Sequence, residues 1–345
     1  MDYVRLGGTG LRVSNLCLGC MMFGEWGNRD HDESIEVIHA ALDSGINFLD
    51  TANIYSAGES EQIVGKALKG RRDQVVLATK FHARMGEGPN DAGNSRVHIM
   101  QAVEDSLRRL GTDYIDIYQV HRPDPKTDVD ETLSALSDLV QQGKVRYLGS
   151  STFPGADIVE AQWASERKGL TRFVCEQPPY SIMVRDIESE VLPAAFRYRM
   201  GVIVWSPLAG GWLSGKYRKG EAIPLTGRAA RVPARFDPAI AANQMKYEVV
   251  EKLVPLAEKE GITLVEMAVA WTLEHPSVTS TIIGPRTLEQ LKGQLKAGEI
   301  QLSTQTLDEI DEIVPPGTTV NRADIGYEPV WLKSGYRRRS RFSSG

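Results

Sequence analysis

Residues 47–68, "NFLDTANIYSAGESEQIVGKAL", begin with a short strand-like run that carries an aspartate at its tip. A strand that is buried on both faces normally has Val, Ile, Leu or Phe in its interior, because an unpaired carboxylate there loses its hydration. Asp50 lies at the end of such a run, and Tyr55 follows five residues later. We therefore predict that Asp50 has a buried partner.

Eight apolar, β-rich runs of this kind occur along the chain. The runs are "NLCLGCMMF" (15–23), "INFLDTA" (46–52), "QVVLATKF" (74–81), "YIDIYQVHR" (114–122), "VRYLGSST" (145–152), "RFVCEQPP" (172–179), "MGVIVWSPL" (200–208) and "STIIG" (280–284). Segments with helical periodicity lie between them, for example at 32–45, 96–111, 130–144 and 248–261, and several end in Gly, as helices prefer. Eight buried strands that alternate with helices predict an α/β fold, a single (β/α)8 TIM barrel. A doubly wound open sheet is the alternative.

Three segments surround this predicted core. Residues 3–14, "YVRLGGTGLRVS", predict a β-hairpin that plugs the bottom of the barrel. The stretch from Ala209 to Asn243, after the seventh strand, is rich in Gly, Pro and Arg and predicts a long loop of the functional kind. We predict one domain over 1–345, with its core at about 3–315 and an irregular tail at 316–345 whose "GYEPVWLK" segment packs back onto the body.

The composition excludes several classes of protein. A net charge of -5 leaves no basic footprint for nucleic acid, and no run approaches the ~18 consecutive apolar residues of a membrane span. The N-terminus lacks the layout of a secretory signal, so we expect a cytoplasmic protein. Cys17 and Cys20 lie in an apolar run with no second cysteine pair nearby, which favours buried packing over zinc ligation, and we predict no metal site.

Polar residues end several of the apolar runs. Asp50 ends "NFLD", Lys80 ends "VVLATK" and His121 ends "IDIYQVH", while Tyr55 lies in the loop after Asp50. Singly, a capping aspartate, a snorkelling lysine, a packed tyrosine and a core histidine would explain them. Active sites of β/α barrels lie at the carboxyl ends of the strands, so together these four residues predict a catalytic site.

The motifs also carry a family resemblance. "GINFLDTANIYSAGESEQIVGKAL", "LATKF", "YIDIYQVHRPDP", "GKVRYLGSSTF", "WSPLAGGWLSGKY" and "IIGPRTLEQL" resemble the aldo-keto reductase superfamily, in the same order, over about residues 3–315. The bacterial branches that they match also resemble potassium-channel β subunits and antibiotic-sugar ketoreductases. The resemblance implies a β/α barrel that uses NAD(P)H without a Rossmann domain, and no G-x-G-x-x-G follows a strand here.

The resemblance implies a catalytic tetrad of Asp50, Tyr55, Lys80 and His121. Reduction of a carbonyl by hydride leaves an alkoxide that must be protonated, and the phenol of Tyr55 would be the proton donor. Lys80 would lower the phenol's pKa, and Asp50 would hold Lys80 as its buried partner. His121 would donate a hydrogen bond to the carbonyl oxygen and orient the substrate.

The same comparison implies residues that bind the cofactor. For the nicotinamide they are Ser151, Thr152, Gln177 and the stacking Trp205, and for the pyrophosphate Ser206, Leu208, Gly210 and Lys216. For the adenosine 2′-phosphate they are the Gly284 turn and Arg286, and for the adenosine itself Gln290 and Gln294. Thr152 stands where the family usually has Asn, and Gly293-Gln294 replaces a usual Glu-Asn pair. We predict NADPH as the cofactor, with NADH as a possible alternative.

The predicted partner is a small-molecule carbonyl substrate. We predict that the protein reduces an aldehyde or ketone, and that a ketosugar or another polar carbonyl compound is one option for the substrate. Met22, Phe23, Trp26 and His82 are the candidate substrate contacts, although Phe23 and Trp26 would serve equally well in packing. The alternative function is a cofactor-bound regulatory or sensing subunit on the same barrel. The sequence does not reveal the oligomeric state.

Overall fold

The computed structural model describes residues 1–221, 229 and 232–332. Eight parallel strands form a closed barrel in chain order, in which the last strand pairs with both the seventh and the first. They are β3 (Leu16–Gly19), β4 (Phe48–Asp50), β5 (Val76–Phe81), β6 (Ile115–Val120), β7 (Val145–Ser151), β8 (Phe173–Gln177), β9 (Gly201–Val204) and β10 (Ser280–Ile283). The predicted barrel is confirmed, and the open sheet was the wrong alternative.

Helices follow the strands and cover the outside of the barrel. They are α1 (His31–Asp43), α2 (Glu59–Ala67), α3 (Arg96–Leu110), α4 (Val129–Gln141), α5 (Gly155–Lys168), α6 (Val191–Arg197), α7 (Ala241–Lys259), α8 (Leu264–Glu274), α9 (Leu288–Leu295) and α10 (Thr304–Ile313). Side-chain caps fix several starts, for example Asp30 before α1 and Ser95 before α3. Gly111 ends α3 at φ +63°, a left-handed conformation that suits glycine.

The N-terminal hairpin closes the bottom of the barrel. Strands β1 (Tyr3–Arg5) and β2 (Arg12–Ser14) pair antiparallel, and the side chains of Leu6 and Val13 join the apolar cluster in the barrel interior. The turn comes so close to β9 that a Cβ on Gly7 would lie 2.4 Å from the amide nitrogen of Gly201. The hairpin therefore forms the predicted plug at the bottom of the barrel. The opposite end of the barrel remains available for a functional site.

Alternation along the strands aims the polar strand ends into the barrel. The interior cluster contains Phe48 of β4, Ala78 of β5 and Ile117 of β6. Side chains two residues apart on a strand point the same way, so Asp50 and Lys80 share the interior direction of these apolar residues. The carboxyl ends of the strands thus collect polar groups above an apolar floor.

The described part of the stretch after the seventh strand contains more regular structure than the sequence predicts. It begins with a 3-10 turn at Ala209–Ser214, and α7 begins at Ala241, so the expected loop ends before Asn243. The indole of Trp212 packs on the rings of Phe236, at 5.4 Å between centroids, and Tyr247, at 4.8 Å. Because the stretch is polar overall, its composition did not predict this aromatic cluster. Residues 222–228 and 230–231 of the loop lie outside the described residues.

The described part of the tail contacts the body at the predicted segment. A Cβ on Gly326 would lie 2.7 Å from Cζ2 of Trp205 and 3.2 Å from Cγ2 of Thr152, which shows how closely the tail approaches these two side chains. Residues 333–345 lie outside the described residues.

In the part of the chain that the structure describes, no helix is both long enough and apolar enough to cross a membrane, and no group of three or more His, Cys, Asp or Glu residues is arranged to hold a metal ion. Cys17 is buried in the interior cluster and Cys20 in the outer core, on opposite faces of the first barrel strand. Burial raises the pKa of both thiols, so they are packing residues.

Candidate active site

Lys80 is the buried partner of Asp50. Its Nζ donates hydrogen bonds to Asp50 Oδ1 and to the carbonyl oxygen of Thr51 at 2.8 Å, and lies 3.3 Å from the hydroxyl of Tyr55. Lys80 is 0% exposed and Asp50 3% exposed. One ammonium therefore connects a buried carboxylate to a phenol.

Two glutamines that the sequence analysis did not assign to this role hold the other oxygen of Asp50. The side-chain amides of Gln119 and Gln177 donate to Asp50 Oδ2 at 3.1 and 2.8 Å. Gln119 lies opposite Lys80 in the β5–β6 register. A polar residue inside the apolar run "IDIYQV" was the signal that could have identified it. The carboxylate is thus fully hydrogen-bonded, which offsets its burial.

The turn that carries Tyr55 is held in an unusual backbone conformation. Ser56 and Ala57 have φ values of +48° and +54°, which cost non-glycine residues about 1–2 kcal/mol each. The hydroxyl of Ser56 accepts a hydrogen bond from the amide of Trp26 at 3.0 Å. Glu61 of α2 accepts hydrogen bonds from Thr79 Oγ1 at 2.6 Å and Arg109 Nε at 2.7 Å. These contacts fix the turn and so the direction of the phenol.

His121 lies beside Tyr55. The two rings meet edge to face, with their centroids 5.8 Å apart. Burial lowers the pKa of His121 well below its ordinary value, and the charges of Lys80 and Arg122 lower it further. The imidazole is therefore neutral at neutral pH and can donate one N–H hydrogen bond into the site.

The pKa of Tyr55 is raised from its ordinary value, whereas the sequence led us to expect that Lys80 would lower it. Burial raises it, and this effect outweighs the lowering by Lys80. The pKa of Lys80 is itself raised, because the burial that would lower it is outweighed by the Asp50 carboxylate and the phenol. At neutral pH the site therefore holds a protonated phenol beside an ammonium, and a protonated phenol can donate a proton to a developing alkoxide.

Several candidate nicotinamide contacts lie at the ends of neighbouring strands. Ser151 donates its hydroxyl hydrogen bond to the carbonyl oxygen of Gln177 at 2.9 Å, and Gln177 places its amide on Asp50. Thr152 has a φ of +61°, a rare conformation for a β-branched residue. Trp205 is half-buried, below the tail segment at Gly326.

The candidate pyrophosphate residues form a compact turn after β9. Ser206, Ala209 and Gly210 all have positive φ, and Ser206 Oγ accepts a hydrogen bond from the amide of Gly210 at 3.0 Å. Leu208 is half-buried, and Lys216 is exposed.

The candidate adenosine residues lie before α9 and along it. Gly284 is exposed at the end of β10, and the amide of Arg286 donates to Gln290 Oε1 at 2.9 Å. Gln294 is 6% exposed, and its Oε1 accepts no hydrogen bond from the described residues. An adenine amino group would supply the missing donor, so the residues present fit an adenine nucleotide.

The candidate substrate residues are not all in one place. Trp26 lies beside Tyr55, with ring centroids 6.0 Å apart, and Met22 is half-buried nearby in sequence. His82 is half-buried with its Nδ1 2.9 Å from Asn94 Oδ1. Phe23 has no exposed surface and packs in the outer core, so it is a packing residue, the other role that its sequence allowed.

Comparison with known proteins identifies the family. Residues 15–315 match the model of the aldo/keto reductase family. An "uncharacterized oxidoreductase YrpG" of Bacillus subtilis is 43% identical over 92% of this chain and 97% of its own. A "probable voltage-gated potassium channel subunit beta" of Arabidopsis thaliana is 36% identical over 91% and 97%, and a "versiconal hemiacetal acetate reductase" of Aspergillus parasiticus is 34% identical over 92% and 98%. The chain therefore belongs to the aldo/keto reductase family and is an NAD(P)H-dependent oxidoreductase.

Proposed function

We propose that this protein reduces an aldehyde or ketone to the alcohol with NADPH, and that Tyr55 is the proton donor. The observation that carries the proposal is the position of Lys80 Nζ, which contacts both Asp50 and the Tyr55 hydroxyl inside the barrel. When bound, the nicotinamide supplies the hydride. Polar carbonyl compounds, ketosugars among them, are the candidate substrates.

Each of the four candidate catalytic residues has its own role in this reduction. His121, neutral because of its lowered pKa, donates a hydrogen bond to the carbonyl oxygen and polarises it. Tyr55 donates its phenolic proton to the same oxygen as negative charge develops there. The ammonium of Lys80 stabilises the phenolate that remains, and Asp50 keeps Lys80 charged.

We further propose how the remaining residues bind NADPH. Trp205 stacks on the nicotinamide, and Ser151, Thr152 and Gln177 orient its carboxamide. The turn formed by Ser206, Leu208 and Gly210, with Lys216, binds the pyrophosphate. Arg286 at the Gly284 turn binds the 2′-phosphate, while Gln290 and Gln294 contact the adenosine. The unpaired Oε1 of Gln294 supports this arrangement.

A second function is favoured by one comparison. Relatives over most of the chain include a protein named as a probable potassium-channel β subunit. On this alternative, the protein would bind NADPH and serve as a regulatory or sensing subunit with little turnover.

Oxidation of NADPH in the presence of carbonyl compounds separates the two functions. The panel should contain aliphatic aldehydes, substituted benzaldehydes and ketosugars, and NADPH binding should be measured separately by calorimetry. We expect tight NADPH binding together with carbonyl-dependent oxidation. Tight binding with no oxidation by any compound would favour the regulatory function instead.

A further inference from the structure

Arg122 lies at the mouth of the active site, directly after His121. Its Nη1 donates hydrogen bonds to Thr152 Oγ1 at 3.1 Å and to the carbonyl oxygen of His121. Its guanidinium carbon lies 5.9 Å from the ring centroid of Trp205. Three candidate site residues therefore surround this one cation.

Arg122 has no ion-pair partner among residues 1–221, 229 and 232–332, although it is half-buried. Three other arginines that are half-buried or buried do have ion-pair partners: Arg72 pairs with Asp116, Arg109 with Glu61, and Arg185 with Glu188 and Asp311. Arg235 and Arg286 are half-buried and, like Arg122, have no ion-pair partner among the described residues. A partly desolvated charge without a counter-ion is unfavourable, and it attracts an anion that enters the site.

The charged and titratable side chains that face Arg122 form neither an ion pair nor a hydrogen bond with its guanidinium among the described residues. Glu176 and Tyr55 interact with it through space only. The Glu176 oxygens accept hydrogen bonds from Ser150 Oγ and the amide of Phe153. Burial raises the pKa of Glu176 to about 7, so its charge is incomplete at neutral pH. No hydrogen bond within the described chain uses Nε or Nη2 of Arg122.

Thr152 provides a second, independent observation. Its positive φ of +61° is unfavourable for a β-branched residue, yet the amide hydrogen bond from Thr152 to the carbonyl oxygen of Gln177, at 3.1 Å, holds it there. In this conformation Thr152 Oγ1 accepts from Arg122 Nη1. The residue that orients the guanidinium is therefore held in an unfavourable backbone conformation.

We propose that Arg122, oriented by Thr152, binds a carboxylate carried by the carbonyl substrate. The Nε and Nη2 donors form the planar fork that matches a carboxylate in two parallel hydrogen bonds. This inference rests on the proposed function, because the carboxylate belongs to the compound whose carbonyl His121 and Tyr55 contact. It names the substrate class of this site: aldehydes or ketones with an acidic group.

Matched substrate pairs test the inference. Formylbenzoates and the corresponding neutral formylbenzamides, with substituents at positions 2, 3 and 4, are compared by kcat/KM. For at least one pair we expect the wild type to prefer the carboxylate, and Arg122→Gln to reduce that preference by about 10–100-fold, the value of a charge-assisted contact. The ratio within a pair cancels any loss common to both substrates. Thr152→Ala should reduce the preference by a smaller factor.

Arg172→Gln is the control variant. Arg172 is exposed at the opposite end of the barrel, before β8, and among the described residues it donates only to the carbonyl oxygen of Tyr198. This variant removes the same charge and should keep the wild-type preference. Equal kcat/KM values within every pair in the wild type, or a preference that Arg122→Gln retains, would overturn the inference.

Direct binding separates failure of this inference from failure of the proposed function. Calorimetry with the NADP+-loaded protein should show that benzoate binds more tightly than benzamide in the wild type but not in Arg122→Gln, whether or not any aldehyde turns over. If Arg122→Gln instead weakens NADPH binding and leaves the benzoate preference unchanged, Arg122 belongs to the cofactor site and the inference is wrong.

Discussion

Lys80 and Asp50 form an ion pair inside the barrel, where neither side chain is more than 3% exposed. The pair sits on adjacent parallel strands and is completed by the amides of Gln119 and Gln177. Replacing such a pair by apolar residues can be neutral, whereas removing one partner leaves a buried charge that destabilises the fold. The pair therefore links catalysis to stability.

Removal of Lys80 alone should be costly. We expect Lys80→Met to lower the free energy of unfolding by roughly 3–5 kcal/mol, because Asp50 would remain buried without its cation. The double variant Asp50→Asn with Lys80→Met should recover part of this loss. Urea titrations of both single variants and the double variant give the coupling energy. Strictly additive losses would show that the two residues do not interact.

Glu176 should make stability depend on pH. Burial raises its pKa to about 7, so the folded protein holds this proton more tightly than the unfolded chain, whose carboxyl titrates near ~4.3. The stabilisation is present below pH ~4.3 and is lost as the pH rises to about 7. Glu176→Gln should thus be more stable than the wild type by roughly 3–4 kcal/mol at pH 8, with little difference at pH 4. Denaturant titrations at both pH values measure this, and a gain of equal size at both would rule out the titration.

Arg286 should set the preference for NADPH. One charge-assisted contact to the 2′-phosphate contributes about 1.5–3 kcal/mol, or about 10–100-fold in affinity. At a half-buried position the lower part of this range is expected, and added salt should reduce it. We expect Arg286→Ala to weaken NADPH binding and to leave NADH binding almost unchanged, as measured by tryptophan fluorescence. Lys292→Ala, which removes an exposed cation from the helix that follows Arg286, is the control. Equal weakening of both cofactors by Arg286→Ala would place this residue away from the phosphate.

Gly326 should be required where the tail meets Trp205. A methyl group there would lie 2.7 Å from Trp205 Cζ2, so Gly326→Ala should displace the tail or the indole and weaken NADPH binding. Gly317→Ala is matched to it, since Gly317 also has a positive φ, +73°, but has open space around its Cα. The control should lose only about 1–2 kcal/mol of stability, the cost of a left-handed conformation for alanine. Calorimetric titration with NADPH compares them, and equal affinities in the two variants would mean that the contact has no role in binding.

Much of the fold could be predicted because the strands are marked by both periodicity and composition. Eight apolar runs and their polar ends were enough to place Asp50, Lys80 and His121 at one end of a barrel. The polar position within "IDIYQV" marks Gln119, but its partner Asp50 could not be predicted because the contact depends on strand register. The role of Arg122 was not predictable, because it depends on which donors remain unpaired after folding. The net rise in the pKa of Tyr55 was also missed, since it depends on how deeply the ring is buried.

The most direct test of the central claim is the effect of Tyr55→Phe on carbonyl reduction and on NADPH binding, measured on the same preparation. The substitution removes the hydroxyl that lies 3.3 Å from Lys80 Nζ and leaves the ring in place. We expect turnover of every active carbonyl compound to fall by at least ~100-fold, the usual contribution of a general acid, with NADPH affinity nearly unchanged. Retention of most of the wild-type turnover would contradict the assignment of Tyr55 as the proton donor.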